Sequence, residues 1–84
     1  MAVEVKVDDE NSATGVMYLD RSTGQTREVS SRAVVVAGGT LESTRLLLYS
    51  NSRRFPTGVA NSSGTLGRNF KEHMGGSVSG YFPQ

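Results

Sequence analysis

Two adjacent glycines, placed between an apolar run and a predicted helix, are the residues of this chain best suited to receive a ligand. The run 33–37 is entirely apolar, Gly38 and Gly39 follow it at once, and a helix is predicted over 40–49. Glycine has no Cβ, so such a turn lets a ligand come close to the backbone. The first N–H groups of a helix lack intrahelical acceptors and favour phosphate. The turn formed by Ala37, Gly38 and Gly39 is therefore a candidate nucleotide-binding site, although an ordinary strand-to-helix turn has the same pattern.

The elements around the turn follow from residue type and spacing. The β-branched run 33–37 predicts a strand buried on both faces, as in a parallel sheet covered by helices. Small residues share one face of the predicted helix with Leu46 and Leu47, which lets the helix pack closely on a sheet; they are Gly39, Ser43 and Ser50. Gly39 or Thr40 is expected to be the N-cap, with Glu42 in the first turn of the helix.

The first part of the chain predicts an antiparallel meander over 3–29. Apolar and charged residues alternate along 3–7, and further strands are expected at 15–20 and 25–29, with Gly24 in the turn between the last two. After the helix, a long polar loop rich in Gly and Ser covers 51–69. Loops of this length tend to be functional or disordered. Residues 76–84 are expected to begin a further strand.

Composition narrows the classes of function. The chain has 84 residues, no Cys, one His and a net charge of +1. These counts exclude disulfides, thiolate metal sites and a zinc centre built by this chain alone, and they give no electrostatic case for nucleic acid. No apolar stretch approaches the roughly 20 residues of a membrane span. A chain this short forms at most one small domain and needs extra support to stay folded.

Two segments of the sequence resemble a known family. The segment VVVAGGTLESTRLLLYS and the later segment GVANSSGTLGRNFKEH are similar to the glucose–methanol–choline (GMC) family of FAD-dependent oxidoreductases. Members carry an apolar strand ending in Ala-(Ala/Gly)-Gly, a helix of the type E-S-x-R-L-L-L-x-S, and a later G-x-N-x-x-x-H segment. In this chain the last of these is 67–73, and the preceding meander also fits the family.

The resemblance implies a fold and a function. It implies an α/β fold in which 1–75 form part of a Rossmann-like FAD-binding domain and 76–84 enter the substrate domain. It implies oxidation of an alcohol, sugar or sterol, with hydride transfer to FAD. The backbone of Val3 would lie near the adenine, and Ala37, Gly38 and Gly39 would line the nucleotide part of FAD. The leucines of the helix would be core residues, namely Leu41, Leu46, Leu47 and Leu48.

Other parts of the family pattern are not found in this sequence. No G-x-G-x-x-G follows a strand, and the C-terminal region with the family's catalytic His is absent. We therefore expect this chain to be a piece of a larger enzyme, completed by N- and C-terminal parts of the same protein and inactive alone. His73, in the G-x-N-x-x-x-H segment, is interpreted as structural, and no catalytic residue is assigned. Two alternatives remain open from the sequence: another two-domain flavoprotein, such as a ketosteroid dehydrogenase or a disulfide reductase, and a small non-catalytic β-rich module that folds on a partner.

Overall fold

The computed structural model describes all 84 residues and contains three strands and one helix. In chain order these are β1 (Ala2–Val7), β2 (Ala13–Leu19), β3 (Thr26–Ser30) and α1 (Thr40–Tyr49). The strands form one antiparallel sheet in the order β1-β2-β3, so each strand pairs with its neighbour in sequence. The predicted meander is confirmed, with strand ends that differ by one or two residues, and the helix has the predicted bounds.

The hairpin between β2 and β3 is closed by the carboxylate of Asp20. Ser22 donates to one Asp20 oxygen through its hydroxyl, at 2.6 Å, and through its backbone N–H, at 3.0 Å. These bonds hold the pKa of the Asp20 carboxyl below its ordinary value. Because the folded-state pKa is lowered, their contribution to stability is present above the ordinary carboxyl pKa and is lost as pH falls through the lowered one. Gly24 completes the turn at φ 71°, as predicted.

The hydroxyl of Ser50 joins the helix to the sheet. Ser50 follows the last residue of α1 and is 2% exposed. Its oxygen accepts the backbone N–H of Val5 at 2.8 Å, and its hydroxyl donates to the carbonyl of Leu46 at 2.6 Å. Val5 is the buried hydrophobic residue of the core, at 5% exposure. The helix face that carries the small residues therefore lies on β1, as the spacing predicts.

The loop after the helix is attached at two places. The backbone N–H of Val59 donates to the carbonyl of Leu47 at 3.0 Å, which holds the loop against the end of α1. The guanidinium of Arg54 donates to the carbonyl of Asp8 at 2.8 Å, so the loop is also bonded to the turn after β1. These bonds give the polar segment 51–69 a defined path without regular secondary structure.

The apolar run 33–37 is not a strand in this structure, which corrects the sequence-based prediction of a buried strand there. Val35 is 87% exposed. A strand of a parallel sheet needs hydrogen-bonding partners at its edges and packed layers on its faces. The three strands of this chain pair with one another in the meander and none pairs with the run. Residues 76–84 also form no strand, and they are exposed throughout.

The chain is extended and leaves much of its apolar surface exposed. Its radius of gyration is 18.4 Å, whereas a compact domain of this length has about 12 Å. Two of the leucines expected in the core are exposed, Leu41 at 70% and Leu48 at 38%. The other two, Leu46 and Leu47, are half-buried. No layer of this chain covers the outer face of α1, so the expectation that all four are core residues stays a prediction for the larger protein.

We expect the isolated 84-residue chain to show no cooperative thermal transition as a dilute monomer, because one buried hydrophobic side chain cannot offset the entropy of ordering the chain. Circular dichroism during heating checks this, with the sheet and helix signals recorded separately. A single steep transition shared by both signals, without added cofactor, would contradict the expectation.

In the larger enzyme that the sequence predicts, Ser50→Ala is expected to lower the free energy of unfolding by about 1–3 kcal/mol, because the buried N–H of Val5 loses its acceptor. Urea unfolding measures the change. Ser31→Ala removes the hydroxyl of an exposed serine and is the control, with an expected effect of at most about 0.5 kcal/mol. Equal losses in the two variants would contradict the role given to Ser50.

Candidate functional site

The turn before α1 is built on a backbone conformation that requires glycine. Gly39 is the N-cap of the helix, with φ 88° and ψ 168°, a region populated almost only by glycine. No side chain caps this end of the helix. The backbone N–H groups of Thr40, Leu41 and Glu42 precede the first intrahelical bond, which runs from Ser43 to the Gly39 carbonyl. The helix therefore begins with unpaired donors, which is the arrangement that suits an anion.

Gly38 differs from its neighbour, because the fold of the chain does not require a glycine there. Its φ lies outside the left-handed region, and a Cβ would lie 3.6 Å from the nearest side-chain atoms, those of Glu42 and Ser43. That distance is ordinary van der Waals contact. A Cβ at Gly38 would therefore be tolerated within this chain, and a group that comes close to the backbone is a physical reason for glycine at this position.

An open cleft of about 280 Å³ lies beside the turn. Four parts of the chain form it: Met1 with the start of β1, Val16 of β2, the segment 34–38, and the first two turns of α1. Ligand pockets are commonly about 300–1,000 Å³, so a cleft of this size fits part of a dinucleotide rather than a whole one. Its lining residues are mainly apolar and comprise Met1, Ala2, Val16, Val34, Val35, Val36, Ala37, Gly38, Glu42, Ser43, Arg45 and Leu46.

Val3 is the residue that the resemblance assigns to the adenine. It follows Ala2, which lines this cleft, and it lies at an irregularity of β1. Ala2 pairs with Tyr18 and Glu4 pairs with Met17, so Val3 is an extra residue without a partner across the ladder. Such bulges re-aim the backbone and are frequent next to active sites. The structure thus brings Ala37 and Gly38 together with the residue before Val3, whereas neither Val3 nor Gly39 is among the lining residues.

Charge at the edge of the cleft is balanced by one ion pair. The guanidinium of Arg45 donates to the carboxylate of Glu42 at 2.8 Å. The same guanidinium lies over the ring of Tyr49, 5.7 Å from its centroid. Because Glu42 is neutralised in this way, its carboxylate opposes an anion at the helix N-terminus less than a free carboxylate would.

The second motif lies on the other side of the same helix. The segment 67–71 and the face of α1 that carries Thr44 and Leu48 line a cleft of about 550 Å³. Gly67 is close to both of those side chains. His73 is exposed and lines neither cleft, so the structure does not bring it to the glycine turn.

Two features of the site were missed by the sequence analysis. The bulge at Val3 depends on strand pairing, and residue type carries no signal for it. Ser43 was assigned to the packing face alone, but its Oγ accepts the backbone N–H of Gly38 at 2.9 Å. A serine close to the start of a helix is a signal for such a bond, because its hydroxyl competes for nearby backbone groups.

A helix that begins at a glycine turn with unpaired N–H groups suits an anion. The parallel strand that precedes such a turn in nucleotide-binding α/β proteins is not formed in this chain. The family model for GMC oxidoreductase matches residues 2–75. The chain therefore belongs to the GMC oxidoreductase family, which is in general FAD-dependent and has a Rossmann-like N-terminal domain. The resemblance of the two motifs is thus confirmed.

Two curated relatives agree with this assignment. The chain is 39% identical over 62 residues to 2-methyl-1,2-propanediol dehydrogenase of Mycolicibacterium austroafricanum, which covers 74% of the chain and 11% of that protein. It is 35% identical over 75 residues to the fructose dehydrogenase large subunit of Gluconobacter japonicus, which covers 89% of the chain and 14% of that protein. The chain thus spans between a tenth and a seventh of the length of these relatives.

The structure has no clustered metal ligands and no membrane-spanning helix. No group of three or more His, Asp or Glu side chains is placed to hold a metal ion. The helix is too short and insufficiently apolar to cross a membrane.

In the complete enzyme, Gly38→Val is expected to give folded protein with little bound flavin. The added Cβ makes only ordinary contacts within the chain, whereas the valine side chain would occupy volume that we assign to the ligand. The control is Gly24→Ala in the β2–β3 turn, where φ is 71° and no atom lies within 4 Å of the added Cβ. That change costs about 1–2 kcal/mol of backbone strain and leaves flavin content intact. The flavin-to-protein absorbance ratio after gel filtration measures both variants. Full flavin occupancy in folded Gly38→Val would show that the turn is only structural.

Proposed function

We propose that this chain is part of an FAD-dependent enzyme that oxidises the CH–OH group of an alcohol, sugar or sterol and transfers the hydride to FAD. The observation that carries the proposal is the cleft beside the glycine turn. Gly38, the start of β1 and Glu42, whose backbone N–H has no intrahelical acceptor, come together there. Membership of the GMC oxidoreductase family supports it.

The residues of the turn fit the nucleotide part of a dinucleotide. A Cβ at Gly38 would make only ordinary contacts within this chain, and Gly39 sets the direction in which the helix begins. The backbone N–H groups of Thr40, Leu41 and Glu42 have no intrahelical acceptors and supply donors for a phosphate. Glu42 lines the cleft beside the turn, whereas Thr40 and Leu41 line the cleft on the other side of the helix. Ala37 belongs to the apolar lining of the cleft beside the turn. An apolar lining suits the flat ring faces of a nucleotide.

The backbone of Val3 is proposed to contact the adenine. The bulge supports this role, because a residue without a ladder partner can direct its backbone groups at a ligand. When bound, FAD supplies the two-electron acceptor that amino-acid side chains lack. The part of this chain is to hold the nucleotide end of that cofactor. No residue of the chain is assigned to the proton transfer that accompanies hydride removal, and His73 is still interpreted as structural.

The domain division is proposed on the same grounds. Residues 1–75 form part of the FAD-binding domain, and 76–84 lead into the substrate domain. The family match ends at residue 75, which supports a boundary there. The nine residues that follow are exposed and make no regular structure within this chain, as expected of a segment whose pairing partners lie elsewhere in the protein.

The names of the relatives support the substrate class. One is named for a diol and the other for a sugar, and both are named dehydrogenases. We therefore favour a small hydroxylated substrate over a sterol. The family match also favours this proposal over a ketosteroid dehydrogenase-like flavoprotein or a non-catalytic β-rich module.

The test uses the purified full-length enzyme after reconstitution with FAD. We expect the visible absorbance bands of oxidised flavin to remain with the protein through gel filtration. We expect anaerobic addition of a vicinal diol or of fructose to bleach those bands, while a carboxylic acid of similar size leaves them unchanged. Folded enzyme that retains no FAD would refute the cofactor, and retained FAD that no alcohol or sugar reduces would refute the substrate class.

A further inference from the structure

We propose that Ser43 is a positioning residue, whose hydroxyl holds the glycine turn in the conformation that receives the nucleotide. This inference rests on the proposed function, because it concerns the same cleft. It adds a role for a residue that contacts the turn from within the helix and that need not touch the cofactor.

The carrying observation is that Ser43 is bonded to both ends of the Gly38–Gly39 segment. Its Oγ accepts the backbone N–H of Gly38 at 2.9 Å. Its own backbone N–H donates to the carbonyl of Gly39 at 2.9 Å. One residue of the helix thus fixes the direction in which the chain enters the turn and the direction in which it leaves.

Two consecutive glycines need such a constraint more than other residues do. Glycine has the largest backbone freedom, so an unconstrained Gly-Gly turn would spend part of its time in conformations that do not accept the ligand. The apparent affinity for a ligand falls in proportion to the fraction of protein in the competent conformation. A bond that holds the turn in place therefore raises affinity without a direct contact to the ligand.

The neighbouring Thr44 provides a comparison with Ser43. Its hydroxyl donates to the carbonyl of Thr40 at 2.7 Å, a bond to the residue four positions earlier that is usual for a hydroxyl within a helix. Ser43 instead accepts a backbone N–H from the turn before the helix, as Ser50 at the other end accepts the N–H of Val5 from the sheet. The half-buried position of Ser43 between the turn and the helix agrees with this role.

The first measurement is the affinity of the full-length apoenzyme for FAD, by titration with quenching of flavin fluorescence. Ser43→Ala is expected to bind FAD about 3- to 10-fold more weakly, the loss that corresponds to one neutral hydrogen bond. Ser43→Thr retains the hydroxyl and is expected to restore binding. Thr44→Val is the matched control, because it removes the neighbouring hydroxyl that bonds only within the helix, and it is expected to bind FAD as the unmodified enzyme does.

The second measurement needs no flavin. Amide hydrogen exchange in the apoenzyme is expected to speed up at Gly38 in Ser43→Ala and to stay unchanged in Thr44→Val, since only the first variant loses the acceptor for that N–H. Should Ser43→Ala not fold, Ser43→Cys provides the second variant, because a thiol keeps the size and is a weak acceptor.

The outcomes separate this inference from the proposed function. If the unmodified enzyme binds FAD and Ser43→Ala binds it equally well with unchanged exchange at Gly38, the positioning role is overturned and the proposed function stands. If the unmodified folded enzyme binds no FAD, the proposed function fails and the nucleotide role of Ser43 fails with it. Weaker FAD binding together with faster exchange at Gly38, both restored by Ser43→Thr, supports the positioning role.

Discussion

A single buried hydroxyl decides how the helix lies on the sheet. A buried backbone N–H needs an acceptor, and the N–H of Val5 finds one outside the β-ladder, in the side chain of Ser50. Because Ser50 also donates to the Leu46 carbonyl, the end of α1 and the middle of β1 share one hydrogen-bonded atom. With that end attached, the opposite end of the ten-residue helix comes to lie beside the start of β1. The cleft at the glycine turn is a consequence of this attachment.

The two ends of the helix differ in their hydrogen bonding. Its C-terminal end is bonded inward, to β1 through Ser50 and to the following loop through the Val59–Leu47 bond. Its N-terminal end is left open, with a glycine N-cap and no capping side chain. A glycine N-cap forgoes roughly a few tenths of a kcal/mol of stability relative to a serine or aspartate cap. The N–H groups that a capping side chain would bond remain available to a ligand. A cap would add helix stability but would occupy a donor that a ligand could use.

The remaining apolar surface shows what the chain requires from its surroundings. The run 33–37 and the outer face of α1 carry aliphatic side chains that this chain does not cover. Burial of such side chains contributes about 25 cal/mol for each Å² removed from water, so neighbouring layers that cover them would add most of the missing stability. The curated relatives are seven to nine times longer than the matched segment, and in our proposal their additional parts correspond to those layers.

Residue order alone was sufficient for the local structure. The alternation along 3–7 and the turn glycine predicted the meander. The residue spacing along the helix predicted its bounds and the face that meets a sheet. These features depend on neighbours in sequence. The residues of the turn and the family were also recognisable from their order. The strand expected at 33–37 does not form in this chain. A strand needs a hydrogen-bonding partner, and the sequence pattern does not show whether that partner lies within the chain. Tertiary structure alone decided the bulge at Val3, the bond between Ser43 and Gly38, and the attachment of Ser50 to β1. Each of these joins backbone groups to atoms whose approach depends on how the elements pack.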